Sequence, residues 1–456
     1  MRSATLLALL LLGAACGDSN ESSTDGTGAG SAPGTGASGP GGTGAGNTGS
    51  GGASSSTGGG GVGGGGGDLL DQADLVYQGA FRVPAQSPGC SNFEVCSFAY
   101  GGGPIVFRPG HESLYMTGHV YNQHTAELAI PIVVNGSSLG ALSTATFVQT
   151  FADLSDGNRE NLLAGGQTID NGAVLGGILV VGDRLLVSSY GYYDASVSVV
   201  YTHFFANADF TTNGVGFGGL EIVGGPDVPQ AGFVAGYMSA IPPEWQGQFG
   251  GTAITGLSTI PIISRTSLGP AAFVFDPAEV GVEESALATA LVHYPIDNWT
   301  LGTYDSVNDY MNMSTSITGV VFVQGSRSVL FFGRHGETAC YGEGTSNPAL
   351  DGQPVPGGGG EVYCYDPADS SKGTHGYPYH HQVWASDAEE LLPVKNGSKA
   401  PWDAVPYAIW SFDLPFQTES RSLAGAAYDP ATQRIFLSQR FGDGELPVVH
   451  VFQVAP

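Results

Sequence analysis

The sequence predicts an all-β fold, a β-propeller of five four-stranded blades, and three observations carry that expectation. No long stretch repeats apolar residues with a helical period, whereas many short apolar runs are separated by Gly, Pro, Asn and Asp. Five segments repeat one pattern: a glycine-bearing strand, in most cases a tight turn, then a second apolar strand ending on a large polar residue. Finally, a lone apolar strand at 75–83 precedes the first unit, and the fifth unit runs out of chain after its third strand. Adding the N-terminal strand to the last unit completes a four-stranded sheet and closes the ring, which covers edges that an open array would expose.

Aligned on their glycines, the first strands fall at 99–107, 175–181, 250–256, 318–323 and 423–428. Tight turns follow most of them: Arg108-Pro109-Gly110-His111, Gly182-Asp183-Arg184, Gly325-Ser326-Arg327 and the segment 429–434. Gly and Asp-Pro supply the backbone angles those turns need. Third strands are expected at 126–130, 197–204, 271–275, 382–385 and 448–454, and fourth strands at 146–151, 219–223, 291–294 and 407–412. Residues 68–456 shared among five blades allow roughly 78 per blade against the ~40–45 of a compact blade. Insertions at 152–172, 225–249, 296–315 and 341–378 take up the excess; the alternative is a ring of six or seven blades.

The second strands end at Met116-Thr117-Gly118-His119, Val187-Ser188-Ser189-Tyr190, Ile262-Ile263-Ser264-Arg265, Phe332-Gly333-Arg334 and Leu437-Ser438-Gln439-Arg440. In a radial repeat the same position of each unit lands on one face around one axis. His119, Tyr190, Arg265, Arg334 and Arg440 are therefore expected to converge, with Tyr192, Tyr193, His335 and Arg421 nearby. Three of the five are Arg, in a chain with 14 Lys+Arg against 41 Asp+Glu. The expectation is a cationic spot on an acidic body. Planar guanidinium forks suit carboxylate or sulfate, and Tyr and His beside them suit proton transfer. His119, Tyr190 and Arg265 are the candidate catalytic set for β-elimination on a uronic-acid polymer, and Arg334, Arg440 and Tyr192 the candidate substrate-binding set. The competing reading has these residues hydrogen-bonding loop backbone or pairing between blades.

A net charge of −27 argues against nucleic acid, whose phosphates it would repel. Residues 1–15 read as an export signal: one Arg, an apolar run, then small residues before Cys16. Gly13-Ala14-Ala15-Cys16 resembles a bacterial lipobox, which implies cleavage before Cys16 and lipidation of its thiol. Residues 16–67 are Gly/Ser/Thr-rich and cannot bury enough apolar surface to order themselves. No second apolar stretch is long enough to span a bilayer, so the membrane contact expected is the lipid anchor alone. The expectation is an exported propeller, 68–456, tethered at a bacterial membrane, outer membrane or cell surface.

With Cys16 set aside, four cysteines are left. Cys90 and Cys96 close a short loop and are expected to pair, as even numbers of cysteines do in exported proteins. Cys340 and Cys364 have two readings. With His335 and His375 they could form a two-Cys, two-His structural zinc site stapling the fourth unit's insertion; alternatively they form a disulfide. Paired axial carboxylates for glycoside hydrolysis are missing, because the starts of the first strands offer Tyr100, Asn171, Thr318 and Ser422 with only Asp170 close by. Asp276, Asp366 and Asp429 each stand in an aromatic-Asp-Pro turn setting.

In residue types and rough placement, His119, Tyr190 and Arg265, with His335, Cys340, Cys364 and His375, resemble the propeller-type polysaccharide lyases that cleave ulvan. The resemblance implies elimination by the first three residues and a structural zinc held by the other four. That family has seven blades where five are counted here, and no specific motif is shared. The chain is also similar to uncharacterised bacterial surface lipoproteins. The functions expected are thus binding, with or without cleavage, of an anionic polysaccharide, or a non-catalytic role in glycan capture, protein capture or scaffolding.

Overall fold

Continuous apolar runs, rather than alternating ones, mark strands buried on both faces, and a propeller blade sandwiched between two others is such an environment. In the computed structural model these runs form 23 strands among the described residues. The structure describes residues 67–455 except 164–166, 168–171, 193, 195–197, 224–228, 259–265, 284, 299 and 309. The signal sequence, nearly all of the linker and the lipidation position Cys16 lie outside the described residues, as do Arg265 and Tyr193.

Strand β1 is Leu75–Arg82. The first blade is β2 (Ile105–Arg108), β3 (Ser113–Thr117), β4 (Thr125–Ala129) and β5 (Thr146–Ala152). The second is β6 (Ala173–Val181), β7 (Arg184–Gly191), β8 (His203–Asn207) and β9 (Val215–Val223). The third is β10 (Met238–Ala240), β11 (Ala253–Thr255), β12 (Ala272–Phe275) and β13 (Ser285–Val292). The fourth begins with β14 (Ser316–Phe322) and β15 (Ser328–Gly336). An inserted sheet of β16 (Cys340–Thr345), β17 (Tyr363–Tyr365) and β18 (Lys372–His375) precedes its last strands, β19 (Tyr379–Asp387) and β20 (Ala408–Phe412). The fifth is β21 (Leu423–Asp429), β22 (Arg434–Asp443) and β23 (Leu446–Val454), and β1 adds to it as the outermost strand, antiparallel to β23 from Leu75↔Val454 to Arg82↔Val448.

Ring closure is visible in the packing. The innermost strands touch in sequence, β2 with β6, β6 with β10, β10 with β14, β14 with β21 and β21 with β2. Each of the five junctions between blades holds its own apolar cluster. In β22, Ile435 and Leu437 face the fourth blade while Phe436 faces the first, the period-two alternation of a strand serving two neighbours. The second and third blades are also joined at their outer edges, where β9 and β13 pair in parallel from Ser285↔Gly219 to Thr289↔Val223. The eight strands of those two blades thereby form one nearly closed sheet.

The glycines that reveal the repeat have a common cause. In β6, β14 and β21 the pairing with the second strand skips one residue, Gly176, Thr318 or Ala424, and resumes on a glycine. This is the same β-bulge at the same radial position in three blades, and it turns the glycine toward the adjacent innermost strand. A Cβ on Gly319 would lie 2.5 Å from Ala426 Cβ and 2.6 Å from its backbone nitrogen. Gly319→Val should therefore destabilise the protein by about 1–3 kcal/mol through overpacking that only ring opening can relieve. A thermal melt within about 1 °C of wild type would show that the axis has slack not evident here.

The third blade departs from the sequence reading. Its first strand is β10, so the segment expected to be its first strand carries the second strand, β11, and 225–249 is not a plain insertion. Gly250, which imitates the glycine of the repeat, is the left-handed C-cap (φ 74°) of α2 (Pro243–Phe249). The fourth strand begins at Ser285, earlier than expected. The second strand, β11, ends at Thr255, and Arg265 lies outside the described residues.

Candidate functional site

Insertions are concentrated on one face. The connections 83–104, 153–172, 192–202, 224–237, 256–271, 293–315, 337–378 and 413–422 all leave from the ends where first strands begin and second strands finish. The opposite face carries tight turns, α2 and two longer connections, 130–145 and 388–407, the second of which holds α3 (Ala388–Lys395); there the buried Trp245 indole donates to Ser326 O at 3.0 Å. The first face therefore carries most of the loops from which a site could be built.

Three of the expected residues meet there. Arg440 follows Gln439, the last residue of β22 paired before its irregularity, Tyr190 lies at the end of β7 and Arg334 near the end of β15, so they reach the mouth from the fifth, second and fourth blades. Tyr190 and Arg334 are the groups whose fields bear on the Arg440 guanidinium. Burial, more than any neighbour, holds the Arg440 pKa below the ordinary arginine value; Tyr190 opposes that shift and Arg334 adds to it. The buried Arg440 Nε has no hydrogen-bond partner. Tyr190 is itself buried, at 8 % exposure, and desolvation pushes its phenol up, with Arg440 pulling the other way. It packs with Ala235, Leu257 and Tyr192. Arg334 lies 4.2 Å over the Tyr379 ring and donates to Ser420 O at 2.8 Å.

The charge pattern of the other arginines sharpens this. Arg82, Arg108, Arg159, Arg327, Arg421 and Arg434 each lie within 4.0 Å of a carboxylate. Among the described residues Arg184, Arg334 and Arg440 are in no salt bridge, although acids outnumber bases about threefold; Arg184 begins β7, at the opposite end of that strand from Tyr190, and lies 4.0 Å over the Phe205 ring. Two guanidiniums side by side without a counter-ion in such a protein are costly unless something anionic is bound between them.

His119 is not part of this group. It stands two residues beyond β3, enclosed by Phe93, Tyr100 and Tyr121 at ring distances of 5.7, 5.7 and 5.1 Å, and its Nδ1 accepts from Tyr121 N at 3.2 Å. Burial lowers its pKa, with Glu94 and Glu445 opposing. Tyr192 reaches the mouth but faces Tyr341 and Asp369 of the insertion as well as Tyr190. Asp276, Asp366 and Asp429 accept from Ala278 N, Ala368 N and Ala431 N, the turn-capping expected of them.

The two-Cys, two-His zinc set needs correction. Cys340 and Cys364 form a disulfide with Cα atoms 5.9 Å apart, so neither sulfur is a thiolate able to bind zinc. Both imidazoles are also committed. His335 Nδ1 meets Thr315 Oγ1 at 2.7 Å and its Nε2 meets Asn308 O at 2.6 Å; His375 Nδ1 meets Asp366 at 3.0 Å and its Nε2 meets Ser371 O at 3.1 Å. Among the described residues no group of three or more His, Cys, Asp or Glu could hold a metal ion. Cys90 and Cys96 are paired as expected, with Cα atoms 6.3 Å apart.

Sequence reasoning missed what carries Arg334. The buried Asp366 carboxylate accepts from the Tyr379 hydroxyl at 2.7 Å and pairs with His375, so the inserted sheet supports the ring beneath the guanidinium. Nothing in residue spacing marks this pair. Burial alone would lower the His375 pKa, but Asp366 outweighs it and holds the pKa above 6.5. Burial would likewise raise Asp366, but bonds from His375, Tyr379 and Ala368 N hold it below 3.8. The raised His375 stabilises the sheet below 6.5 and stops doing so as pH rises through its folded pKa. The depressed Asp366 stabilises above 3.8 and stops doing so as pH falls through its folded pKa. Hydrogen-exchange protection of β16 should thus be highest between those limits and fall on both sides. In Asp366→Asn the plateau should vanish; an unchanged profile would assign the protection to the disulfide alone.

No family model matches the chain, and no curated protein does. Among solved structures it is similar to Chaetomium thermophilum Raptor (8 % identity, TM-score 0.30), covering 84 % of this chain and 30 % of that one. It is also similar to a member of the duf4221 family from Bacteroides vulgatus atcc 8482 (8 % identity, TM-score 0.30), covering 85 % of this chain and 95 % of that one.

Proposed function

We propose that the protein is a tethered extracytoplasmic propeller whose axial mouth captures an anionic polysaccharide through Arg440 and Arg334. The observation that carries this reading is the unpaired, partly desolvated Arg440 beside Arg334, in a chain whose net charge is −27. A carboxylate or sulfate between them would restore charge balance and take paired N–H donors. The export signal, the lipidated Cys16 and the long polar linker belong to the same reading, since they would hold the mouth away from a membrane where extracellular polymers are met.

Cleavage by β-elimination is the second reading, favoured by Tyr190 beside a guanidinium. It requires a base as well as an acid, and the raised Tyr190 pKa suits a proton donor, not a base. The interactions of His119 are with Phe93, Tyr100 and Tyr121 on the rim. Capture without turnover is therefore the better-supported function. Titrating the full chain with uronic-acid and sulfated polysaccharides, while following the ultraviolet absorbance of unsaturated uronate ends, tests both. Saturable binding with flat absorbance is the expected result. Rising absorbance that Tyr190→Phe abolishes would establish the lyase instead, and failure to bind any polyanion would remove the proposal.

A further inference from the structure

We infer that the rim beside Arg440 carries a sugar-stacking platform, whose occupant is a neutral pyranose unit of the same acidic glycan that Arg440 holds by its charge. The inference rests on that reading of the arginine site and specifies its ligand further. Phe93, Tyr100 and Tyr121 are 42 %, 40 % and 40 % exposed and surround one buried imidazole, His119. Contiguous exposed aromatic surface on one spot marks a recognition site more than scattered apolar residues do. Carboxylates edge the patch: Glu445 accepts from the Tyr100 hydroxyl, and the charges of Glu94 and Glu445 both reach His119. Flat apolar faces bordered by acceptors match a pyranose, whose C–H face is apolar and whose hydroxyls donate. The same carboxylates repel a uronate, so the unit bound here is neutral.

The platform adjoins the arginine site along the chain. The Tyr100 ring lies 6.2 Å from that of Phe441, the residue after Arg440. Both Tyr100 (φ 57°) and Phe441 (φ 61°) hold left-handed backbone conformations that bulky side chains avoid. Tyr100 N donates to Glu445 O at 2.8 Å, and the Cys90–Cys96 disulfide closes the loop that carries Phe93. The backbone that carries Tyr100 and Phe441 is thus held in strained conformations of the kind found at binding sites, and the disulfide restrains the loop of Phe93.

The test compares free glucuronate with glucuronate linked to one neutral hexose, titrated calorimetrically into the full chain. The hexose should tighten binding about tenfold in the wild type, and in Phe93→Ala and in Tyr121→Ala the ratio of the two affinities should fall to about one. Tyr121→Leu keeps apolar bulk without the flat ring and should behave like Tyr121→Ala, which separates stacking from simple loss of packing. A ratio near one in the wild type, or a tenfold ratio that survives in all three variants, overturns the platform while leaving the arginine site standing. If neither sugar binds, both readings fall together.

Discussion

A chain lacking residues 68–83 should not form a stable propeller, and a peptide of that sequence supplied separately should restore folding. The segment contributes β1, the outermost strand of the fifth blade, hydrogen-bonded to β23 along its length. Without it β23 becomes an open edge in a ring that otherwise has each blade locked to the next. The loss is also apolar. Phe81 and Val83 are 1 % and 2 % exposed at the junction with the first blade, and Leu70 is buried at the junction with the fourth. At about 1.5–3 kcal/mol for each side chain, their removal approaches the whole net stability of a typical domain, about 5–15 kcal/mol. Circular dichroism and thermal melting of the truncated chain, with and without the peptide, check this. A truncated chain that melts within a few degrees of wild type would show that the other four blades hold the fifth unaided.

The same strand shows why the architecture was readable before the structure. A lone apolar run at one end and an incomplete sheet at the other are complementary facts in a sequence, and only ring closure reconciles them. The bulge glycines Gly177, Gly319 and Gly425 are readable for a physical reason too: two innermost backbones approach closely there, so that a Cβ on Gly177 or Gly319 would lie 2.4 or 2.6 Å from neighbouring backbone, while at Gly425 the approach is looser, 3.3 Å from Ile105 N. The third blade defeated this logic. Its first two strands, β10 and β11, are three residues each, too short to show alternation, and the conspicuous glycine nearby caps a helix.

At the mouth, equivalence of position carried Tyr190, Arg334 and Arg440 to one place because each lies within its own second strand. His119 stands apart from that set because β3 stops at Thr117, two residues before it, and its ring lies instead among Phe93, Tyr100 and Tyr121. Composition could not separate a zinc set from a disulfide, since both use the same two cysteines, Cys340 and Cys364, and the geometry that decides between them is tertiary.

Arg440→Ala should lower affinity for polyuronate by about 10–100-fold, the worth of a charge-assisted hydrogen bond of about 1.5–3 kcal/mol. Arg440→Lys keeps the charge but not the fork, so its affinity should fall between the two. The discriminating result is stability. A residue retained for the fold loses stability when removed. Arg440 has a buried Nε without a partner and a neighbouring like charge in Arg334, and no carboxylate is among the groups that shift its pKa. Its removal relieves a desolvated cation at the cost of some packing by its aliphatic stem. The melting temperature of Arg440→Ala without ligand should therefore rise by about 1–3 °C, as expected for about 1–3 kcal/mol recovered in a chain of this size. Polyuronate should raise the melting temperature of the wild type more than that of Arg440→Ala at the same ligand concentration, because only a ligand that binds the native state shifts the unfolding equilibrium, in proportion to its affinity. A variant that melts several degrees lower and still binds would make Arg440 a structural residue and move the anion site elsewhere on the face. A variant that is more stable and has lost binding identifies a side chain whose unfavourable placement is retained for its ligand, the exchange of stability for recognition expected of a functional site.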